Sequence, residues 1–130
     1  MILRFLKYWL PPLFWMSFIF FLSSRQSVTI TGTFTIDFVI FKGLHMIEYG
    51  FLYLLLFRAF YSLKNKEFSL ETRYILALVV AVAYAGSDEL HQTFIASREG
   101  TIRDILIDTA GIILIYVYIK HNINWVKKLL

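Results

Sequence analysis

Tyr74 to Phe94 reads YILALVVAVAYAGSDELHQTF: a long apolar run, then two carboxylates, an imidazole and an amide within six residues. In water a helix keeps its acids on a solvated face. In lipid it holds them only against partners or water. The reading therefore depends on the solvent, and composition decides it. Of the 130 residues, 58% are apolar, 18% aromatic and only 17% charged, whereas soluble domains run about 45–50% apolar and about 25% charged. The chain reads as a membrane protein. It has no cysteine, which excludes a disulfide framework and a thiolate metal site. Its net charge of +4 does not point to nucleic acid, because the basic residues punctuate apolar segments and form no patch interleaved with exposed aromatics.

Four apolar segments stand out, at about 8–23, 38–57, 74–94 and 102–119. Each reaches or approaches the roughly 20 residues a helix needs to cross ~30 Å of hydrocarbon. The expected fold is all-α: an integral membrane bundle of four transmembrane helices making one domain over residues 1–130. The first segment, preceded by Arg4 and Lys7, has the outline of a secretory signal but no convincing small-x-small cleavage pattern, so it is read as a retained helix entering at Pro11 and Pro12. Between the first two segments, SVTITGTFTID (Ser27 to Asp37) alternates apolar and polar residues around Thr31-Gly32, a pattern for a short hairpin or an extended loop.

Lysine and arginine set the orientation. With both termini cytoplasmic, nine of the 13 basic residues fall inside, and seven of the nine acids (Asp37, Glu48, Asp88, Glu89, Glu99, Asp104 and Asp108) fall in the outer half. Counted at 1.5 Å per residue from the inner basic anchors, Glu48 lies about 15 Å, Asp108 about 18 Å, His45 about 20 Å and Asp88 about 22 Å up, with Lys42, His91, Gln92 and Asp104 in a further layer at roughly 24–28 Å. Faces agree with depths. Lys42, His45 and Tyr49 share one stripe of the second helix, with Glu48 at its edge; Tyr84, Asp88, His91 and Gln92 share one on the third; Thr101, Asp104, Asp108 and Gly111 share one on the fourth. Glu89 falls about 100° off its helix's stripe and is expected to face the first helix or another partner. Small residues, Gly50, Ala81, Ala85 and Gly111 among them, allow close helix approach.

KGLHMIEYGFL (Lys42 to Leu52) and SDELHQTFIASREGTIRDILIDTAG (Ser87 to Gly111) resemble, in order and spacing, the VanZ-like family of small bacterial membrane proteins, named for a protein associated with low-level teicoplanin resistance. FLSSRQS (Phe21 to Ser27) is similar to the polar stretch after that family's first helix, so the resemblance covers nearly the whole chain. The matching positions are Lys42, His45, Tyr49, Asp88, Glu89, Gln92, Arg98, Asp104, Asp108 and Gly111. The chain departs from the pattern at Phe41, where the family usually has an acid, and at Ala96-Ser97, where a Pro-Gly is common. His91 falls at a position expected to vary, which leaves His45 as the functional histidine.

The resemblance implies a bacterial cytoplasmic-membrane protein with its active face outward, and a lipid-linked envelope molecule or glycopeptide as partner. One reading is enzymatic, a membrane-embedded hydrolase or transferase. There His45 would be general acid or base, with Asp88, Glu89 and Asp108 as the catalytic carboxylates, and Lys42, Tyr49, Gln92, Arg98 and Asp104 would bind substrate. Thr101 is the nearest hydroxyl nucleophile. A second reading is binding or scaffolding without chemistry, with Lys42 and His45 neutralising Asp88 and Asp108. A third is a component of proton- or ion-coupled transport. His45-x-x-Glu48 and Asp88-x-x-His91 have the spacing to aim ligands at one ion, zinc or manganese before calcium, but Lys42 in the same layer repels a cation, so no cofactor is expected. Trp9, Trp15 and Trp125, with Tyr8, Tyr116 and Tyr118, are read as interface anchors and packing residues.

Overall fold

The computed structural model describes residues 2–25, 30–63, 68–95 and 100–128. They form four long helices, α1 (Ile2–Ser23), α2 (Phe34–Ser62), α3 (Leu70–Gln92) and α4 (Ile102–His121), followed by one turn of helix, α5 (Ile123–Val126). By length and composition, α1, α2 and α3 can each cross a membrane. The fourth helix has a spanning length of 20 residues but carries Arg103, Asp104, Asp108 and Lys120, so its apolar signal is interrupted.

Helix limits differ from the hydropathy segments for local reasons. Helix α1 starts at Ile2, which puts Pro11 and Pro12 inside it and not at its entry. Each proline removes one backbone donor, so the carbonyls of Lys7 and Tyr8 lose their i+4 partners, a loss that membrane helices tolerate. Helix α2 starts at Phe34, and no strand occurs among the described residues. The would-be hairpin is a loop tied to the first turn of α2. The Asp37 carboxylate accepts from the Thr31 amide (2.8 Å), the Thr31 hydroxyl (2.8 Å) and the Ile30 amide (3.2 Å), while Gly32 supplies a φ of 73° that a side-chain-bearing residue adopts reluctantly. At 29 residues, α2 is about 43 Å long and exceeds the ~30 Å hydrocarbon layer, so it tilts or projects.

The core is built on α2. Tyr49, Leu52, Tyr53, Leu56 and Phe57 are buried against Tyr74, Ala77, Ala81 and Ala85 of α3 and Ile112 and Ile119 of α4. The alanines recur every fourth residue, so one smooth stripe of α3 accepts the aromatic face of α2. Phe57 stacks on Tyr74 at 4.8 Å between centroids, and Tyr116 meets Tyr74 edge-on.

The α2–α4 contact is closer still. A Cβ added to Gly111 would run into the Met46 backbone, and one added to Gly50 would lie 2.9 Å from Ile115 Cγ1 and 3.1 Å from the Gly111 carbonyl oxygen. Helix α1 leans mainly on α2. There the Trp15 indole packs edge-on against Phe51 and donates to the Glu48 carbonyl at 3.0 Å, so this tryptophan pins one helix to another.

At the opposite end from the Asp37 loop, two guanidiniums close the C-terminus of α2. Arg73 donates to the carbonyls of Tyr61 (3.0 Å) and Leu63 (3.1 Å), and Arg4 donates to that of Ser62 (2.8 Å). The last carbonyls of a helix lack intrahelical donors and carry its partial negative charge, which a cation satisfies twice over.

Candidate functional site

The C-terminal turns of α1 and α3 and the N-terminal halves of α2 and α4 meet at one end of the bundle, where the polar stripes turn inward. Asp88, Glu89, Asp104 and Asp108 are 3%, 2%, 4% and 1% exposed. Among the described residues, they face one lysine and one histidine from within the bundle.

Asp88 is the best-bonded member. Its Oδ2 accepts from the Ser23 hydroxyl at 2.7 Å, the Tyr49 hydroxyl at 2.9 Å and the Gln92 amide at 3.3 Å. One oxygen thus joins α1, α2 and α3, while its Oδ1 is buried with no hydrogen-bond partner. The alanine stripe of α3 leads straight to it: three turns of small side chains bring the helix close enough for Tyr49 to reach across.

Lys42 Nζ lies 2.9 Å from Asp104 Oδ2, linking α2 to α4. Thr101 caps α4 by accepting the Asp104 amide at 3.2 Å, which fixes the turn from which Asp104 projects. One turn deeper, His45 Nδ1 stands 3.6 Å from Asp108 Oδ1. That is an ion-pair separation and too long for a good hydrogen bond. Asp108 Oδ2 has no hydrogen-bond partner and is buried.

Glu89 takes the second of its two expected placements, a partner other than α1, and His91 corrects the sequence reading. Glu89 faces the N-terminus of α4 and not α1: its Oε2 accepts the Thr101 amide at 3.2 Å, where a carboxylate meets the positive end of a helix, and its Oε1 is buried without a hydrogen-bond partner. His91 leaves the shared stripe. Its Nε2 is 3.1 Å from the Ser24 hydroxyl and its ring lies against Phe20 at 4.5 Å, both on α1. The Asp88-x-x-His91 pair therefore does not converge, and among the described residues no group of three His, Asp or Glu side chains is arranged to hold a metal ion.

The structure brings together Lys42, His45, Tyr49, Asp88, Glu89, Gln92, Asp104 and Asp108. Arg98 lies outside the described residues. Ser23 is the member that sequence reasoning missed. It was legible only as a small residue closing an apolar run, and its role depends on where α1 docks. The polar stretch Phe21 to Ser27 was the available signal. Thr101, the nearest hydroxyl candidate for a nucleophile, accepts the Asp104 amide as the cap of α4.

Together these features define a class: an all-helical, membrane-type bundle with a buried polar cluster at one end. Within that class the chain belongs to the VanZ/LLP1 family, whose model matches residues 8–125. No curated protein and no solved structure matches the chain.

Proposed function

We propose that this protein is a four-span protein of the bacterial cytoplasmic membrane, with both termini cytoplasmic and the buried cluster toward the outer face. There it binds or acts on the polar head of a lipid-linked cell-envelope molecule, with a consequence for glycopeptide susceptibility. The observation that carries this reading is the set of buried carboxylate oxygens, Asp88 Oδ1, Glu89 Oε1 and Asp108 Oδ2, that have no hydrogen-bond partner. Native interiors rarely leave such acceptors unmet, because each one forgoes its hydration. Buried acceptors of this kind match a ligand rich in donors, such as the hydroxyls and amides of an envelope sugar or peptide. Lys42 and Arg98 are suited to its phosphate.

His45 and Asp108 lie at ion-pair distance, close enough for a small movement to make the carboxylate the orienting partner of an acid–base imidazole, which supports chemistry, hydrolysis or group transfer, as the reading. His45→Gln removes titration, and Asp108→Asn keeps shape while removing charge. Each variant, expressed in bacterial cells at wild-type level, is to be assayed for glycopeptide susceptibility and for extracted lipid-linked precursors. Both variants should lose the effect. A folded His45→Gln protein with full activity would eliminate His45 as acid or base and leave binding as the function.

The topology is tested on a chain that has no cysteine of its own. An impermeant thiol reagent applied to intact cells should label Thr31→Cys and not Ser69→Cys. The reverse pattern would invert the assignment and turn the cluster toward the cytoplasm.

A further inference from the structure

A second feature shares none of the cluster's carboxylates. Gly43, Met46, Gly50 and Leu54 of α2, with Gly111 and Leu114 of α4, line an open groove of about 400 Å³. The groove lies open at Gly43, where an added Cβ would meet nothing within 4 Å, while Gly50 and Gly111 form its floor where the two helices touch. From Gly43 to Leu54 it runs about 16 Å along α2, close to half of the ~30 Å hydrocarbon layer and so to the depth of one leaflet. At ~30 Å³ for a group the size of a water, it accommodates about a dozen methylenes. That is most of one fatty-acyl chain and only a fraction of a polyprenyl chain.

The end of the α2–α4 seam nearest Gly43 carries two cations. The Arg103 guanidinium and the Lys42 ammonium lie over the same Phe38 ring, at 4.9 and 5.9 Å from its centroid. Both address Asp104, Lys42 at 2.9 Å and Arg103 at 3.5 Å. Lys42 is turned inward to the acid cluster, whereas the Arg103 side chain is 64% exposed and presents its guanidinium at the surface. On α4, Arg103 lies three turns above Leu114 along one stripe, about 16 Å away. That span matches the distance from a headgroup phosphate to the lower part of its chain.

We infer that the α2–α4 groove holds one acyl chain of an anionic glycerophospholipid whose phosphate is met by Arg103. Apolar length and volume select the chain, and the exposed guanidinium, able to pair two phosphate oxygens at once, selects the charge. The site adjoins the buried cluster at Lys42 and Asp104, but the groove lining and Arg103 belong to it alone, and the variants that test it leave the cluster's residues intact.

The test is thermal stability of the full chain, purified and delipidated in a neutral detergent, since a ligand that binds the folded state raises its Tm. The additions are dioleoylphosphatidylglycerol, dioleoylphosphatidylcholine and a polyprenyl phosphate. Phosphatidylglycerol should raise Tm by several degrees, and the other two by less than half as much. Gly43→Leu fills the groove at a position where an added Cβ meets nothing within 4 Å, so it should keep its lipid-free Tm and lose the response. Leu114→Trp, on the opposite wall, serves the same purpose should the first variant fold poorly. Arg103→Gln should respond equally to both phospholipids, and Ile75→Ala, an exposed site on α3, should respond as wild type. An undiminished response in a folded groove-filling variant, equal responses of the wild type to both phospholipids, or a larger response to the polyprenyl phosphate would each overturn the inference.

Discussion

Replacing Asp88 by alanine is expected to cost about 3–5 kcal/mol of stability, the range for removing one partner from a buried charged network. The structure supports the figure independently. Two short hydrogen bonds, from Ser23 at 2.7 Å and Tyr49 at 2.9 Å, end on one buried oxygen, and each stranded donor forfeits about 1–3 kcal/mol. The longer bond from Gln92 adds less. Acting the other way, removal of Asp88 relieves repulsion from the neighbouring acids Glu89 and Asp108. Asp88→Asn separates the two effects, since it keeps an acceptor in place and deletes the charge, and it should be milder than alanine. Ser23→Ala and Tyr49→Phe should each cost about 1.5–3 kcal/mol, the worth of a hydrogen bond to a charged group, and should combine non-additively because both donors address the same oxygen. The reference is Glu71→Ala: Glu71 is exposed and pairs with Lys120 at 3.3 Å, an interaction worth at most about 1 kcal/mol. Equilibrium unfolding in mixed micelles, titrated with a denaturing detergent, measures all of these. If Asp88→Ala and Glu71→Ala unfold at the same midpoint, the three-helix junction at Asp88 does not hold the bundle together.

Gly111→Ala should destabilise by about 1–3 kcal/mol or more, the range for overpacking, because the added carbon meets Met46 backbone that cannot rotate away; Gly43→Ala, with open space around its Cβ, should be nearly neutral in the same unfolding assay. Arg73→Ala releases the carbonyls of Tyr61 and Leu63 and should cost about 1–3 kcal/mol, read as faster amide exchange in the last turn of α2 with little change at Tyr49. Asp37→Ala frees the Thr31 loop from α2 and should speed proteolytic nicking between residues 30 and 33, whereas equal nicking rates would show that the loop is held by something else.

The membrane class and the number of long helices were legible because apolar length is a property summed over many residues, and no single one of them has to be read correctly. The helix ends were less so: Thr31-Gly32 and the alternation around it look like a hairpin, and only the reach of Asp37 back to Thr31 shows why the segment winds into α2 instead. Of the candidate site, the stripes at Lys42, His45 and Tyr49, and at Asp104 and Asp108, were readable from helical spacing. What spacing cannot supply is rotation. Glu89 and His91 point about 200° apart on α3, and which neighbour each meets is set by how the helix is turned in the bundle. Ser23 was illegible for a related reason, since its partner is 65 residues away and depends on how a helix with two internal prolines is docked.

The distribution of satisfied and unsatisfied oxygens argues against a purely structural role for the cluster. Were it there for cohesion alone, each carboxylate would be expected to use both oxygens, as Asp37 does in its loop. Instead, Asp88 and Glu89 each use one oxygen to bind the bundle together, Asp108 makes a 3.6 Å ion-pair contact with His45, and each of the three keeps its other oxygen buried and unbonded. Such an arrangement is fixed on one side, and a donor admitted by movement of the surrounding helix ends would meet acceptors already held in place. The same bonds that position these acids limit how far they can move to satisfy themselves: Asp88 is held by three helices, Glu89 by the amide at the start of α4, and Asp108 by its helix beside His45. On the proposed reading, stability and ligand contact draw on different atoms of the same side chains. Asp88→Asn should therefore affect function more than folding, whereas Ser23→Ala should do the opposite.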